Sequence, residues 1–284
     1  MKVLVEVASK NIDSYVGCCD GILLGLSSYS VLNAVGFTVE EVSSIAKEYP
    51  TLEIFVKMDK NFMNDEVDSL KDVLVELDQL PIEGVFFYDM AVLEIKQELS
   101  LALPLVWSQT HMVSNYRTCN YFLEQGVNYA LLSKEITLDE IEDISEKSNI
   151  STIVEVVSHP SVGYSRRKLV SNYYQDLEEE GNSTLSILER ITNQKYIVKE
   201  EDAGTGFLLD QVMNGTSVIA SLYRMNIDYV LLREEGISDF LELFLDTKTY
   251  VDCGCKDTNY VEKYKKLGDN TGFFFKKTIY RVKK

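Results

Sequence analysis

Residues 84–108 read Gly-Val-Phe-Phe-Tyr-Asp-Met-Ala-Val-Leu-Glu-Ile-Lys-Gln-Glu-Leu-Ser-Leu-Ala-Leu-Pro-Leu-Val-Trp-Ser. A short apolar run at Gly84–Tyr88 has no polar alternation, which is the pattern of a strand buried on both faces. Met90–Leu99 then repeats its apolar residues at helical spacing, and a second apolar run follows at Pro104–Ser108. Strand, helix, strand within 25 residues is a βα unit of a parallel sheet.

The same unit recurs on either side. Further strands are expected at Lys2–Val7, Gly21–Leu26, Leu52–Met58, Tyr129–Ser133 and Thr152–Val157. Helices are expected at Thr38–Glu48, Asp65–Asp78, Ser114–Gln125 and Thr137–Ser145. Thr38-Val-Glu-Glu41 and Thr137-Leu-Asp-Glu140 are capping boxes, in which Thr and Glu satisfy the first free amides of a helix. An eighth strand, Ile227–Leu232, comes late and precedes a helix near Ser238–Leu245. Eight units close a (β/α)8 TIM-barrel-like α/β fold. The alternative, an open doubly wound sheet, lacks its Gly-rich phosphate turn, because Val7-Ala8-Ser9-Lys10 follows the first strand.

The long stretch between strands 7 and 8 exceeds a simple loop. It contains a helical, charged Ser165–Glu180, a hairpin at Tyr196–Leu209 and a helix at Val218–Arg224. Residues 160–215 are therefore expected as an insertion on a barrel of residues 1–250. Residues 251–284 are expected to form a C-terminal extension packed on it, ending in a basic tail of strand-like pattern from Gly272 to Lys284 with Lys276, Lys277, Arg281, Lys283 and Lys284.

The net charge of −17 argues against a general nucleic-acid binder or a protein of anionic membrane surfaces. It is unevenly spread. Residues 1–150 carry 10 basic against 25 acidic side chains, whereas residues 251–284 carry 9 basic against 4 acidic. The five cysteines, Cys18, Cys19, Cys119, Cys253 and Cys255, are an odd number, and a chain of 284 residues does not need disulfides. Their spacing, with only His111 and His159 to help, gives no metal set. No stretch has the length of a membrane span, and the first residues lack a signal-peptide pattern. A cytoplasmic protein with free thiols is expected.

In a parallel barrel, chemistry sits at the C-terminal ends of the strands. Those ends offer Glu6, Lys57 and Asp59, Tyr88 and Asp89, Gln109 and His111, Lys134 and Glu135, Glu155 and His159, and Arg233 and Glu234. Gln109-Thr-His-Met-Val-Ser-Asn115 places an amide, a hydroxyl and an imidazole past strand 5, and His can act as acid or base near neutral pH. The alternative is that Gln109 and His111 only tie neighbouring loops together. Tyr164-Ser-Arg-Arg-Lys-Leu-Val-Ser-Asn-Tyr-Tyr174 gathers three cations in an acidic chain. Arg suits carboxylate or phosphate; the alternative is a solvated helix start paired with Glu178–Glu180. No Gly-x-Ser-x-Gly or His-Glu-x-x-His motif supports hydrolysis.

Several of these segments together resemble peptidase family U32, the collagenase-like proteases. They are Val56–Glu66, Tyr88-Asp89 with the helix after it, Gln109–Asn115 and Leu132–Ile141. Asp59 departs from the pattern, standing where the family often has Asn. Longer members carry four cysteines after strand 7 that hold an iron–sulfur cluster, and here Ser158–Leu169 contains none. Ser165–Leu169, Asn172-Tyr173 and the Gly272–Lys284 ending resemble a short, cluster-less branch found in Firmicutes beside a longer paralogue.

The resemblance implies a role in prephenate-dependent tRNA wobble-uridine hydroxylation, with the longer iron–sulfur paralogue and tRNA as partners. It implies no cofactor bound by this chain and a prephenate-like hydroxyl donor. Gln109, His111 and Glu135 are then the catalytic candidates. The binding candidates are Asn115, His159, Tyr164, Ser165, Arg166, Arg167, Lys168, Asn172 and Arg233, with the three consecutive cations on RNA phosphate or a carboxylate. The alternatives are a collagenase-like peptidase and a non-catalytic scaffold subunit.

Overall fold

A computed structural model describes residues 1–276 of the chain. The first seven strands are β1 (Lys2–Glu6), β2 (Gly21–Gly25), β3 (Glu53–Met58), β4 (Gly84–Phe87), β5 (Leu105–Trp107), β6 (Tyr129–Leu131) and β7 (Ser151–Ser158). Helices α1 (Val39–Glu48), α2 (Val67–Asp78), α3 (Ala91–Glu98), α4 (Tyr116–Glu124) and α5 (Leu138–Lys147) lie between them. Both expected capping boxes form, on α1 and α5.

Five further strands and two helices come before the barrel closes. They are β8 (Ser161–Ser165), α6 (Leu169–Asp176), β9 (Thr184–Glu189), β10 (Gln194–Glu201), β11 (Gly204–Leu209), β12 (Met213–Asn214) and α7 (Ile219–Arg224). The eighth barrel strand, β13 (Tyr229–Arg233), pairs in parallel with β1 and β7. Since β6 also pairs with β7, eight parallel strands form a closed barrel. Helices α8 (Phe240–Asp252) and α9 (Asn259–Tyr264) complete the described chain.

The inserted strands make a separate antiparallel sheet in the order β8-β11-β10-β9. Here the sequence reading is corrected. The helix expected over Ser165–Glu180 is confined to α6: Ser165 ends β8, and Arg166–Lys168 form the turn between. The Glu200 carboxylate fixes the start of α6 by accepting from the Val170 and Ser171 amides at 2.8 and 3.1 Å. Glu178, with φ of 55°, lies just past its end. The hairpin over Tyr196–Leu209 is present as β10 and β11, while β8 and β9 were not anticipated. The basic tail passes after Lys276 into residues outside those described, which include Lys277, Arg281, Lys283 and Lys284.

Alternation along the strands stacks the barrel interior in layers. Leu4, Leu23, Phe55, Phe86, Val106, Leu131, Ile153 and Leu231 point inward and form one buried apolar layer. Beneath it, Tyr129 and Tyr229 meet each other and Phe55 of the layer edge to face, with ring centroids 5.5–6.0 Å apart, and fill the N-terminal end. Above it, two residues further along each strand, come Glu6, Gly25, Lys57, Tyr88, Ser108, Ser133, Glu155 and Arg233. The same period of two that builds the core therefore lifts a polar and charged layer to the C-terminal mouth.

The chain after β13 packs back on the barrel. Helix α8 lies against β1, and Tyr260 of α9 stacks on Tyr250 of α8 with centroids 4.2 Å apart. Further on, the Phe274 carbonyl accepts from the Leu138 amide at 3.0 Å, which ties residues 272–276 to the start of α5.

Candidate functional site

Five of the charges at the mouth form one ion-pair chain. Lys57 Nζ binds Glu6 Oε1, and Arg233 Nη1 binds Glu6 Oε2. Arg233 Nε reaches Glu155 Oε2 at 2.7 Å, and Lys134 Nζ lies 3.3 Å from Glu155 Oε1. Ser158 Oγ also donates to Glu155 Oε1. The Lys57 and Glu155 side chains are 2% and 1% exposed, so these charges have left water. Removing an ion from water costs several kcal/mol, on the order the handful of charge-assisted bonds here can offset only if each carboxylate is fully paired. Both carboxylates are: each oxygen of Glu6 and Glu155 has a cationic partner. Three cations against two carboxylates leave one net positive charge. Burial pulls the Arg233 guanidinium down to about 10, and it stays protonated at neutral pH. Lys134 has a single carboxylate partner, so ammonium donors remain for an incoming anion.

The inserted sheet and the loop after β2 roof this layer. At position 25 on β2 there is no side chain, and the Asn33 amide occupies the place a Cβ would take. Gly206 on β11 likewise leaves space for the Leu32 side chain. The Leu32 carbonyl accepts from Lys57 Nζ at 3.3 Å, which fastens the loop to the charged layer. From above, Lys199 Nζ donates to the Asn33 carbonyl at 2.5 Å and to Glu235 Oε1 at 2.6 Å. Gly25→Ala is therefore expected to lower stability by about 1–3 kcal/mol through overpacking. Asn33→Ala in the same chain should recover part of that loss. Urea denaturation of the single and double variants checks it, and strict additivity would contradict the contact.

Between floor and roof lies a cavity of about 180 Å³. That is room for roughly six waters, the scale of a small metabolite rather than a polymer. Lys57, Lys134, Arg233, His111, His159 and Tyr164 share its polar wall with the carboxylates of Glu6, Asp59, Glu234 and Glu235. Glu235 is paired with Lys199, Glu234 accepts from the Ala8 amide and Asp59 from the Val31 amide. His159 Nδ1 lies 3.0 Å from the Leu209 carbonyl, which can only accept, so the proton is on Nδ1 and Nε2 is left as an acceptor when the ring is neutral. Tyr164 donates to the Ala203 carbonyl, and burial pushes its phenol up to about 12.

The structure thus brings His111, His159, Tyr164 and Arg233 of the sequence candidates to one cavity. Others stand elsewhere. The Gln109 amide donates to the Tyr88 carbonyl at 2.6 Å and its carbonyl accepts from Trp107 Nε1 at 3.1 Å, so this side chain ties β4 to β5. Asn115 caps α4, accepting from the Thr118 amide at 3.0 Å. Asn172 is exposed on α6. Glu135 stands 3.2 Å from His111 Nδ1 and borders an adjoining groove. Ser165, Arg166 and Arg167 line a separate hollow with Lys60, Asp65 and Glu66. There Ser165 Oγ accepts from the Arg167 amide at 3.2 Å, Arg166 meets Met63 Sδ, and Lys168 is turned to the Glu201 carbonyl at 2.6 Å. Glu6, Lys57, Lys134 and Glu155 were visible as strand ends, yet the reading by motif did not choose them.

The residues present do not fit the four-thiolate cluster of longer relatives. Cys19 and Cys119 are buried in the core, and among the described residues no three His, Cys, Asp or Glu side chains gather as a metal set. Cys18 precedes β2, Cys253 and Cys255 follow α8, and no cysteine lines the cavity.

The sequence profile of peptidase family U32 matches residues 15–239. The chain belongs to this family. It is 25% identical to tRNA hydroxylation protein P2 of Bacillus subtilis (strain 168), over 91% of each chain. It is also 25% identical to tRNA hydroxylation protein P1 of the same strain, over 54% of this chain and 37% of that one. Among solved structures, the U32 peptidase Mk0906 shares the fold at a TM-score of 0.53 and 16% identity, covering 84% of this chain and 94% of that one. No helix among the described residues is long and apolar enough to cross a membrane.

Proposed function

We propose that this family member acts in tRNA wobble-uridine hydroxylation in the cytoplasm, beside a longer iron–sulfur member of the family. The similarity to tRNA hydroxylation protein P2 along nearly the whole of both chains carries this reading. In it the chain binds no cluster itself. The ammonium and guanidinium donors of Lys57, Lys134 and Arg233 hold a carboxylate of a prephenate-like hydroxyl donor, and His111, oriented by Glu135, serves as the acid or base at the rim. Arg166 and Arg167 offer cations to RNA phosphate at the neighbouring hollow.

The peptidase alternative is less well supported. Ser108 Oγ, in the cavity wall, is committed to the Phe87 carbonyl at 2.7 Å rather than to an imidazole. Mass spectrometry of tRNA from a deletion strain tests the proposal. Loss of the 5-hydroxyuridine-derived wobble modification, restored by the intact gene, is expected. An unchanged level in a strain without a redundant route would sink it. Restoration by a gene carrying Arg233→Met would favour the scaffold alternative.

A further inference from the structure

A second recess opens beside the cavity, of about 190 Å³. The two share His111, Lys134, Ser161 and Val162 as a common wall. Leu209, Met213, Pro160 and Phe273 give it a largely apolar lining, with Glu135 and Asn270 as the polar exceptions. Phe273 is 40% exposed, although its neighbour Phe274 is 7% exposed and buried against the barrel. The Phe274 anchor holds the Phe273 ring at the surface, where burial in the core does not explain it. Val162, 43% exposed, stands on the same recess. At the rim are the cations Lys134 and Lys276.

We infer that this recess receives an unstacked pyrimidine base of an RNA strand. The inference rests on the reading of the chain as a tRNA-modifying protein and names where the base goes. Single-stranded RNA is recognised by splaying a base out and stacking it on an aromatic side chain. An apolar slot with one exposed ring and cations at its edge offers both contacts, the ring to the base and Lys276 to the adjoining phosphate. The shared wall places such a base next to the anion cavity, so two reactants meet across His111 and Lys134.

The experiment uses the full chain carrying Phe273→Trp and reads tryptophan fluorescence on titration with a uridine-containing single-stranded RNA. A matched strand with an abasic site in place of the uridine is the control. Saturable quenching by the first and not the second is expected. In the otherwise natural chain, Phe273→Ala should weaken binding of the uridine strand about tenfold, and Phe273→Tyr should retain it. Equal binding of both strands would mean that the recess takes backbone or another apolar ligand, and overturns the inference. So does affinity unmoved by Phe273→Ala in a variant whose circular dichroism is native. If tRNA modification depends on the gene but binding ignores Phe273, the base site fails and the functional reading stands. If binding needs the base and Phe273 but modification persists without the gene, the functional reading fails and the base site stands.

Discussion

Glu155→Ala should lower the unfolding free energy by about 3–5 kcal/mol, the cost of removing one partner from a buried ion pair. The Glu155 side chain is 1% exposed and accepts from Arg233, Lys134 and Ser158 together. Without it, Arg233 keeps only Glu6, Lys134 loses its carboxylate, and the buried layer rises from one net positive charge to two. The strands cannot move apart to admit water, because the apolar layer directly below, from Leu4 to Leu231, fixes their spacing. Lys57→Met should cost less, since Glu6 retains Arg233. The check is the midpoint of urea unfolding at unchanged slope. A loss under about 1 kcal/mol would mean that the layer behaves like a solvated surface cluster.

The same layer shows what a linear sequence carries and what it does not. The barrel was legible because every strand buried on both faces must be apolar in a run, as in Gly84–Phe87 and Tyr229–Leu232, and those runs need no partner to be seen. The capping boxes at Thr38 and Thr137 were legible for the same reason, as their contacts span three residues. The ion-pair chain was not. Lys57 meets Glu6 across 51 positions and Arg233 meets Glu6 across 227, so each residue alone is one more polar side chain at a strand end. Counting two places past each inward apolar residue would have found them.

Gln109 shows the opposite case. Its place beside His111 suggested catalysis, whereas both ends of its amide are spent on Tyr88 and Trp107. The inserted sheet was half seen. The β10–β11 hairpin has a turn at Asp202-Ala203-Gly204 that local chemistry announces, with Gly204 at φ of 142°. Strand β9 has exposed Ile187 and Leu188 and no alternation to mark it. In Arg166–Lys168 the run of charge was evident, but which cation faces outward depended on Glu201 and Met63, distant in sequence.

Lys134→Met separates binding from folding, and it is expected to weaken a bound carboxylate by roughly 10- to 100-fold, the worth of one hydrogen bond to a charged group. Lys134 contacts Glu155 at 3.3 Å, but that carboxylate keeps Arg233 and Ser158 when Lys134 is gone. The fold should therefore lose about 1.5–3 kcal/mol, less than Glu155→Ala, because Ser158 still donates to the oxygen that Lys134 leaves. The ion-pair chain loses its one excess positive charge, because two cations now face two carboxylates, while Asp59, Glu234 and Glu235 still line the cavity. An entering carboxylate then meets one cation and one donor group fewer, while the methionine keeps the volume of the wall. Calorimetric titration with prephenate, at two salt concentrations, reads both effects: the intact chain should bind more tightly and lose more affinity as salt rises. Equal affinity in the two proteins would remove Lys134 from the anion site.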